Sequence, residues 1–271
     1  CAGAQHAHHA EVVCVPRNLV VPVPEGLDCD EASTVTLGAI AMQGVRRASP
    51  TLGETFAVIG LGLLGQLTMQ MLKANGCRVI GMDLDLGRVR MAESLGMDAS
   101  VQPDKDQDIE RVARLTDGYG ADGVIITAAS PSNDLVSTAF GMCRKKGRVV
   151  VVGDVGLNLN RADIYPKEID FFISTSYGPG RYDRNYEERN LDYPLAYVRW
   201  TENRNMAEYL RLLHDKRVRI KPLIQSVHDI DQAAAAYARL GGDEARPLIA
   251  LLRYPERANE TELRHDIANP K

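Results

Sequence analysis

Short runs of apolar residues alternate with helical segments between residues 56 and 175. The runs are continuously apolar, which is typical of parallel strands that are buried on both faces of a sheet. A weaker strand signal lies at residues 99–101. The stronger strands are predicted at residues 56–59, 78–82, 123–126, 148–152 and 171–173.

Apolar residues recur at helical spacing between these strands. Leu67, Met71 and Leu72 precede Asn75-Gly76, and a second helical set ends before residue 96, where glycine is a suitable helix stop. Further helices are predicted around residues 109–115 and 133–143, the latter followed by cations that suit a helix C-terminus. This order predicts the α/β class and a doubly wound, Rossmann-type parallel sheet.

The two flanks differ from this middle region. Residues 1–45 carry short strand signals, notably at 11–15, and several prolines, while residues 204–250 predict two amphipathic helices and a final strand at 248–252. We assign both flanks to one second domain, made of residues 1–46 and of residues 195–255, where the chain returns to it. The Rossmann domain is predicted at 47–194, and a tail or linker at 256–271. The start at Cys1 leads us to expect preceding sequence.

A glycine-rich motif follows the first strand directly and leads into a helix. In this context the G-x-G-x-x-G spacing indicates a dinucleotide-binding loop. The first glycine allows the tight turn, the second lets backbone approach a pyrophosphate, and the third lets helix pack on strand. The positive N-terminus of the helix then faces the phosphates. The motif is Gly60, Leu61, Gly62, Leu63, Leu64 and Gly65.

An acidic residue ends the second strand. Asp83 lies eighteen residues after Gly65, near the spacing of about 20 for a carboxylate that binds ribose hydroxyls. Asp83 and Asp85 would repel a 2′-phosphate, so we predict NAD rather than NADP, with Arg88 covering the adenosine or offsetting part of the repulsion. The alternative is that Asp83 only caps the next helix.

Residues after the fourth and fifth strands are further candidates for cofactor binding. Thr127, Gly153, Asp154 and Val155 would line the crevice at the carboxyl edge of the sheet, where open α/β sheets bind ligands. The alternative is that they are ordinary loop residues.

With these residues in place, the chain from about residue 10 to residue 252 resembles the medium-chain dehydrogenase/reductase superfamily of zinc-type alcohol dehydrogenase relatives. The resemblance rests on TLGAIA at 36–41, GETFAVIGLG at 53–62, GADGVII at 120–126, GRVVVVG at 147–153, and Asp83 with Arg88. It implies hydride transfer between a nicotinamide and an alcohol or carbonyl substrate. It also implies that the second domain is a partial GroES-like catalytic domain, and that the protein is a homodimer.

Two later stretches, SYGPGRYD at 176–183 and YVRWTEN at 197–203, resemble the subgroup that is fused to a Gfo/Idh/MocA-like oxidoreductase domain. This resemblance implies a fused downstream oxidoreductase domain and a sugar-like substrate.

The sequence departs from the zinc enzymes at one point. The family places a zinc-binding cysteine just before the Rossmann unit, where this chain has Val35, Thr36 and Leu37. We therefore expect neither zinc nor another metal, and expect a side chain to stabilise the developing alkoxide. Tyr177, Arg181 and Tyr182 are the catalytic candidates because they follow the sixth strand. The alternative is that they belong to a structural turn.

Composition narrows the choice of partners. The net charge of −4 is spread over 32 basic and 36 acidic residues, with no block that would favour nucleic acid or a membrane surface. The sequence has neither a CxxC pair nor a membrane-length apolar run, so we expect a cytoplasmic protein with a small-molecule substrate. Two alternatives stay open: a fragment of a zinc-dependent alcohol or polyol dehydrogenase, and a non-catalytic NAD-binding module.

Overall fold

The computed structural model describes residues 3, 8–10, 12–104, 107–241 and 246–255. The chain divides into two compact units, Cys1–Pro222 and Leu223–Lys271. Among the described residues the helices are α1 (Cys29–Ala32), α2 (Val35–Ala48), α3 (Leu63–Ala74), α4 (Leu86–Ser94), α5 (Asp108–Leu115), α6 (Asp134–Met142), α7 (Arg161–Ile164), α8 (Arg184–Glu187), α9 (Glu202–His214) and α10 (Ala233–Gly241). The strands are β1 (Thr55–Ile59), β2 (Arg78–Met82), β3 (Ala99–Val101), β4 (Ala121–Ile126), β5 (Cys143–Val151), β6 (Asp170–Ile173), β7 (Ile224–Asp229) and β8 (Ile249–Arg253).

The first unit is built around a parallel sheet of six strands in the order β3-β2-β1-β4-β5-β6. This confirms the predicted α/β class and the parallel sheet. The reason is burial on both faces, since Phe56, Val58, Val124 and Ile125 are all fully buried. β1 pairs with both β2 and β4. The strand order therefore reverses between β1 and β4, and a crevice forms at their carboxyl ends.

Helices cover the two faces of this sheet. On one face α5 and α6 supply Val112, Val136 and Phe140 to a core that includes Ile59 and Ile126. On the other face α2 contacts β4 and β5, while α3 contacts β1 and β2. The sheet is therefore covered on both faces, and the loops that follow its strands lie at its carboxyl edge.

The end of α6 differs from the prediction. The helix ends at Met142, and β5 begins at Cys143 rather than at residue 148. The cationic residues 144–146 therefore lie in β5 and not at the C-terminus of the helix. Lys167 satisfies the end of α6 instead, because its ammonium donates to the carbonyl oxygens of Phe140, Gly141 and Cys143 at 3.0, 2.6 and 2.8 Å.

The N-terminal prediction was also partly wrong. Residues 12–15 form no strand, and Val12 is 72% exposed. The main element of this flank is the helix α2, which sequence reasoning did not identify. α2 buries Val35, Ala39 and Met42, which are spaced four and three residues apart on one helical face. α9 packs against α2 within the first unit.

The second unit contains β7 and β8, which pair in parallel, and α10 between them. The predicted helix and final strand of this segment are confirmed, with β8 at Ile249–Arg253. The division of the chain at residues 47, 195 and 256 stays a prediction, and the tail at 256–271 lies outside the described residues. Among the described residues, no helix combines the length and apolar character required to cross a membrane.

Candidate functional site

The glycine motif forms the turn between β1 and α3. Gly60 has a φ of +92°, and a Cβ at this position would lie 2.7 Å from the backbone nitrogen of Ala128. A Cβ on Gly65 would lie 1.9 Å from the carbonyl oxygen of Gly60. Side chains are therefore excluded at the first and third glycines, because the turn and the helix pack directly on neighbouring backbone.

Gly62 differs from these two glycines. Its φ is −63°, and a Cβ there would meet no atom within 4 Å. Gly62 is also the N-cap of α3, and no side chain caps the helix. The space beside Gly62 and the N-terminus of α3 can accordingly receive an anionic group, with Leu63 and Leu64 in the first turn.

Asp83 lies beside this loop at the end of β2. Its carboxylate accepts hydrogen bonds from the backbone nitrogens of Leu61 at 2.6 Å and Asp85 at 2.8 Å. The cap of α4 is Asp85, whose side chain accepts from Gly87 and Arg88. Asp83 is therefore not the helix cap that the alternative interpretation required.

The Arg88 guanidinium lies 3.8 Å from the Asp83 carboxylate and 3.6 Å from the Asp85 carboxylate. The Asp83 side chain is only 9% exposed, whereas Arg88 is 37% exposed. The structure thus brings the glycine loop, Asp83 and Arg88 together in one corner.

The loops after β4 and β5 meet at the same edge. The Thr127 hydroxyl donates to the carbonyl oxygen of Gly60 at 2.5 Å, so it holds the glycine loop. A Cβ on Gly153 would lie 1.9 Å from the carbonyl oxygen of Ala128, so these two loops touch through backbone. Next to them is an open cleft of about 500 Å³, lined by Ala129, Ser130, Pro131, Asp154, Val155 and Gly156.

Asp154 and Val155 were candidates from sequence, but the other residues of this cleft were not. The backbone nitrogen of Ser130 donates to the carbonyl oxygen of Asp154 at 2.8 Å, and Gly156 donates to Ser130 at 3.2 Å. The signal that could have found Ser130 is its position in the loop after β4, which faces the loop after β5.

The three catalytic candidates after β6 do not share one environment. Tyr177 is fully buried. A Cβ on Gly3 would lie only 2.9 Å from its hydroxyl, so backbone covers this group. Arg181 forms a buried ion pair with Glu187. Tyr182 is 69% exposed and has a φ of +69°. Only Tyr182 of the three presents most of its side chain to the surface.

Sequence reasoning missed a buried carboxylate next to these residues. Glu202, the first residue of α9, is fully buried, and its oxygens make no well-formed hydrogen bond with a described residue. Burial and, to a smaller extent, the Glu187 charge raise its pKa to about 8, although Tyr177 and Arg181 act against the shift. Burial and the nearby Glu202 charge also raise the pKa of Tyr177.

Among the described residues, no group of at least three His, Cys, Asp or Glu side chains is arranged to hold a metal ion. Val35, Thr36 and Leu37 begin α2 without a thiolate or imidazole. The described residues therefore do not fit a zinc site.

Comparisons with known proteins support the resemblance. Residues 64–189 match the family model described as zinc-binding dehydrogenase. The chain is 26% identical over 246 residues to a sorbitol dehydrogenase of Halalkalibacterium halodurans. The alignment covers 89% of this chain and 64% of that relative. The chain is thus similar to zinc-binding and sorbitol dehydrogenases over these stretches.

Two solved structures share the fold. One is a putative zinc-binding dehydrogenase from Sinorhizobium meliloti bound to NADP. The other is a short chain alcohol dehydrogenase from E. coli complexed with cofactor NADH. Each has a TM-score of 0.70 and 20% sequence identity, with 88% of this chain and 63% of the other chain covered. The chain thus spans slightly less than two thirds of the length of each relative.

Proposed function

We propose that this chain provides the cofactor-binding part of a nicotinamide-dependent oxidoreductase that uses NAD(H) and acts on an alcohol or carbonyl. The observation that carries the proposal is the open space at Gly62, beside the uncapped N-terminus of α3 and next to Asp83. Backbone N–H groups and a helix dipole suit a pyrophosphate, and a carboxylate suits ribose hydroxyls.

Each part of the corner has a separate task in this proposal. The first turn of α3 binds the pyrophosphate, and Asp83 accepts hydrogen bonds from the ribose. Asp154 and Val155 border the cleft after β4 and β5, which receives the nicotinamide end. When bound, the nicotinamide supplies hydride transfer. Thr127 holds the Gly60 carbonyl and so keeps the loop in shape.

The preference for NAD rests on charge. Asp83 and Asp85 place two carboxylates near the position of the adenosine ribose, where a 2′-phosphate would be repelled. Arg88 is within 4 Å of both and offsets part of this repulsion. Because similar folds occur with NADP and with NADH, the fold itself does not select the cofactor.

The substrate class comes from the relatives. A sorbitol dehydrogenase among them supports a hydroxylated, sugar-like substrate. We propose a zinc-independent reaction because Val35, Thr36 and Leu37 offer no thiolate, and we derive no step through zinc. Of the three proposed proton donors, exposure favours Tyr182, since Tyr177 is covered and Arg181 is paired with Glu187.

A zinc-dependent alcohol or polyol dehydrogenase is the second candidate. The description of the matching family model favours it. In that case the zinc ligands would come from residues outside the present sequence. A non-catalytic NAD-binding module is the third candidate, and it differs from the first two in binding NADH without turnover by the whole protein.

Calorimetric titration with NADH and NADPH tests the cofactor assignment. We expect NADH to bind, and Asp83→Ala to raise its Kd at least about tenfold, because a hydrogen-bonding carboxylate is removed from the ribose. Asp170→Ala is the control, because Asp170 is an exposed carboxylate at the amino end of β6. A folded wild-type chain that binds neither nucleotide would contradict the proposal.

A further inference from the structure

Gln66 lies one turn into α3 and is fully buried. Its side-chain amide donates to the carbonyl oxygen of Leu61 at 3.0 Å and to the carbonyl oxygen of Arg88 at 2.8 Å. Both partners are acceptors, so the amide nitrogen must face them. One side chain therefore connects α3, the glycine loop and α4.

Leu61 stands between the first two glycines of the motif. Its backbone nitrogen donates to the Asp83 carboxylate at 2.6 Å, and its carbonyl oxygen accepts from Gln66. Both backbone polar groups of this residue are thus held by side chains from neighbouring elements. Leu61 itself is fully buried, so water does not replace either partner.

We propose that Gln66 is a positioning residue for the nicotinamide cofactor. It fixes the spacing between the pyrophosphate loop at Gly62 and the ribose-binding carboxylate of Asp83. This inference rests on the proposed function. Removing the amide leaves the carbonyl oxygens of Leu61 and Arg88 without this donor, so the loop and α4 can shift relative to each other. A dinucleotide that spans both places then binds less tightly.

The chain supplies a matched control one helical turn later. Gln70 lies on the same helix, is 3% exposed, and also uses its amide on backbone. It donates to the carbonyl oxygen of Arg219 at 3.1 Å and accepts from the Arg219 nitrogen at 2.8 Å. Gln70 therefore matches Gln66 in residue type, helix and burial, but its Arg219 partner is outside the glycine loop.

The test compares Gln66→Met with Gln70→Met by NADH titration and by thermal unfolding. We expect both variants to lose thermal stability, because each loses buried hydrogen bonds. We expect the Kd for NADH to rise about tenfold in Gln66→Met and less than about twofold in Gln70→Met. A structural role alone would move the melting temperatures without separating the two affinities.

The outcomes distinguish the inference from the proposed function. If the wild-type chain binds no NADH, the proposed function is contradicted, and the inference that rests on it falls with it. If the wild type binds and both methionine variants bind equally well, the positioning role of Gln66 is overturned. Should Gln66→Met fail to fold, Gln66→Asn keeps an amide that is one methylene too short to reach both carbonyls. Wild-type affinity in folded Gln66→Asn would likewise overturn the inference.

Discussion

Two loops of this protein follow strands of the same sheet and contain sequence candidates, yet they are built in opposite ways. The loop after β1 is mainly backbone: neighbouring side chains hold its polar groups, and open space lies beside Gly62. The segment after β6 buries two of its three candidate side chains and leaves Tyr182 exposed. Tyr177, Arg181 and Glu187 are covered together with Glu202.

The difference shows how the proposed binding site at Gly62 differs from a buried polar cluster. At Gly62, directed backbone groups coincide with room for a ligand. Ionisable groups are concentrated around Glu202, but the backbone of Gly3 covers the Tyr177 hydroxyl, and Arg181 forms an ion pair with Glu187. Perturbed ionisation in the second region therefore reports burial, and it is expected to affect stability more directly than chemistry.

The largest effect on stability is expected when alanine replaces one of two glycines of the same loop, Gly65 and Gly62. Gly65→Ala brings a methyl group against the Gly60 carbonyl, so we expect the free energy of unfolding to fall by about 2 kcal/mol or more. Gly62→Ala meets open space, so its unfolding should match the wild type while NADH affinity falls. Urea unfolding and titration measure both. Unchanged NADH binding by Gly62→Ala would show that the open space does not hold the cofactor.

The next effect concerns Glu202. The pKa of this carboxyl in the folded protein is about 8, above the usual value of 4.5. Between these values the folded state binds more protons than the unfolded state. Stability therefore falls as pH rises through this window, by up to about 1.4 kcal/mol per pH unit from this group. Glu202→Gln should remove this slope and be more stable than the wild type above pH 8.

Urea unfolding from pH 5 to pH 9 checks this expectation. Glu208→Gln is the control, because Glu208 lies on the same helix, pairs with Arg211, and is partly exposed. The charged and titratable groups that interact with Glu202 include Tyr177, Arg181, Glu187, Tyr186 and Tyr193. Parallel stability profiles for the wild type and Glu202→Gln would show that Glu202 is ionised in the folded protein.

The smallest expected effect comes from Asp85→Ala, which separates the role of Asp85 from that of Asp83 beside the glycine loop. Asp85→Ala removes the cap of α4, and we expect a loss of about 1 kcal/mol in unfolding free energy. NADH affinity should fall much less than in Asp83→Ala, because Asp85 does not hold the glycine loop. A larger loss of affinity in Asp85→Ala than in Asp83→Ala would reverse the roles assigned to these two carboxylates.

The sheet could be predicted because its strands are buried on both faces, which leaves continuous apolar runs in the sequence. The end of α6 could not, because cations after a helix look the same whether or not they cap it. Here Lys167, distant in sequence, reaches the carbonyl oxygens. Local patterns do not show such long-range partners.

Some residues of the candidate site could likewise be predicted from the sequence, and others could not. The glycine spacing and Asp83 were visible because a tight turn and the proposed ribose-binding carboxylate require particular residue types at fixed distances. Gln66 and Glu202 had no such marker. Polar residues on amphipathic helices are usually exposed, and only the packing of neighbouring elements shows that these two are buried.

The bond between Thr127 and Gly60 has a consequence for the order in which the protein assembles. Donor and acceptor are 67 residues apart, and they meet because β4 lies beside β1 in the sheet. A nascent chain that has emerged only as far as β3 already contains the whole glycine motif with Asp83 and Gln66, but it still lacks the Thr127 hydroxyl that binds the Gly60 carbonyl oxygen. The cofactor corner is therefore a late product of folding, completed when β4 closes a long chain loop.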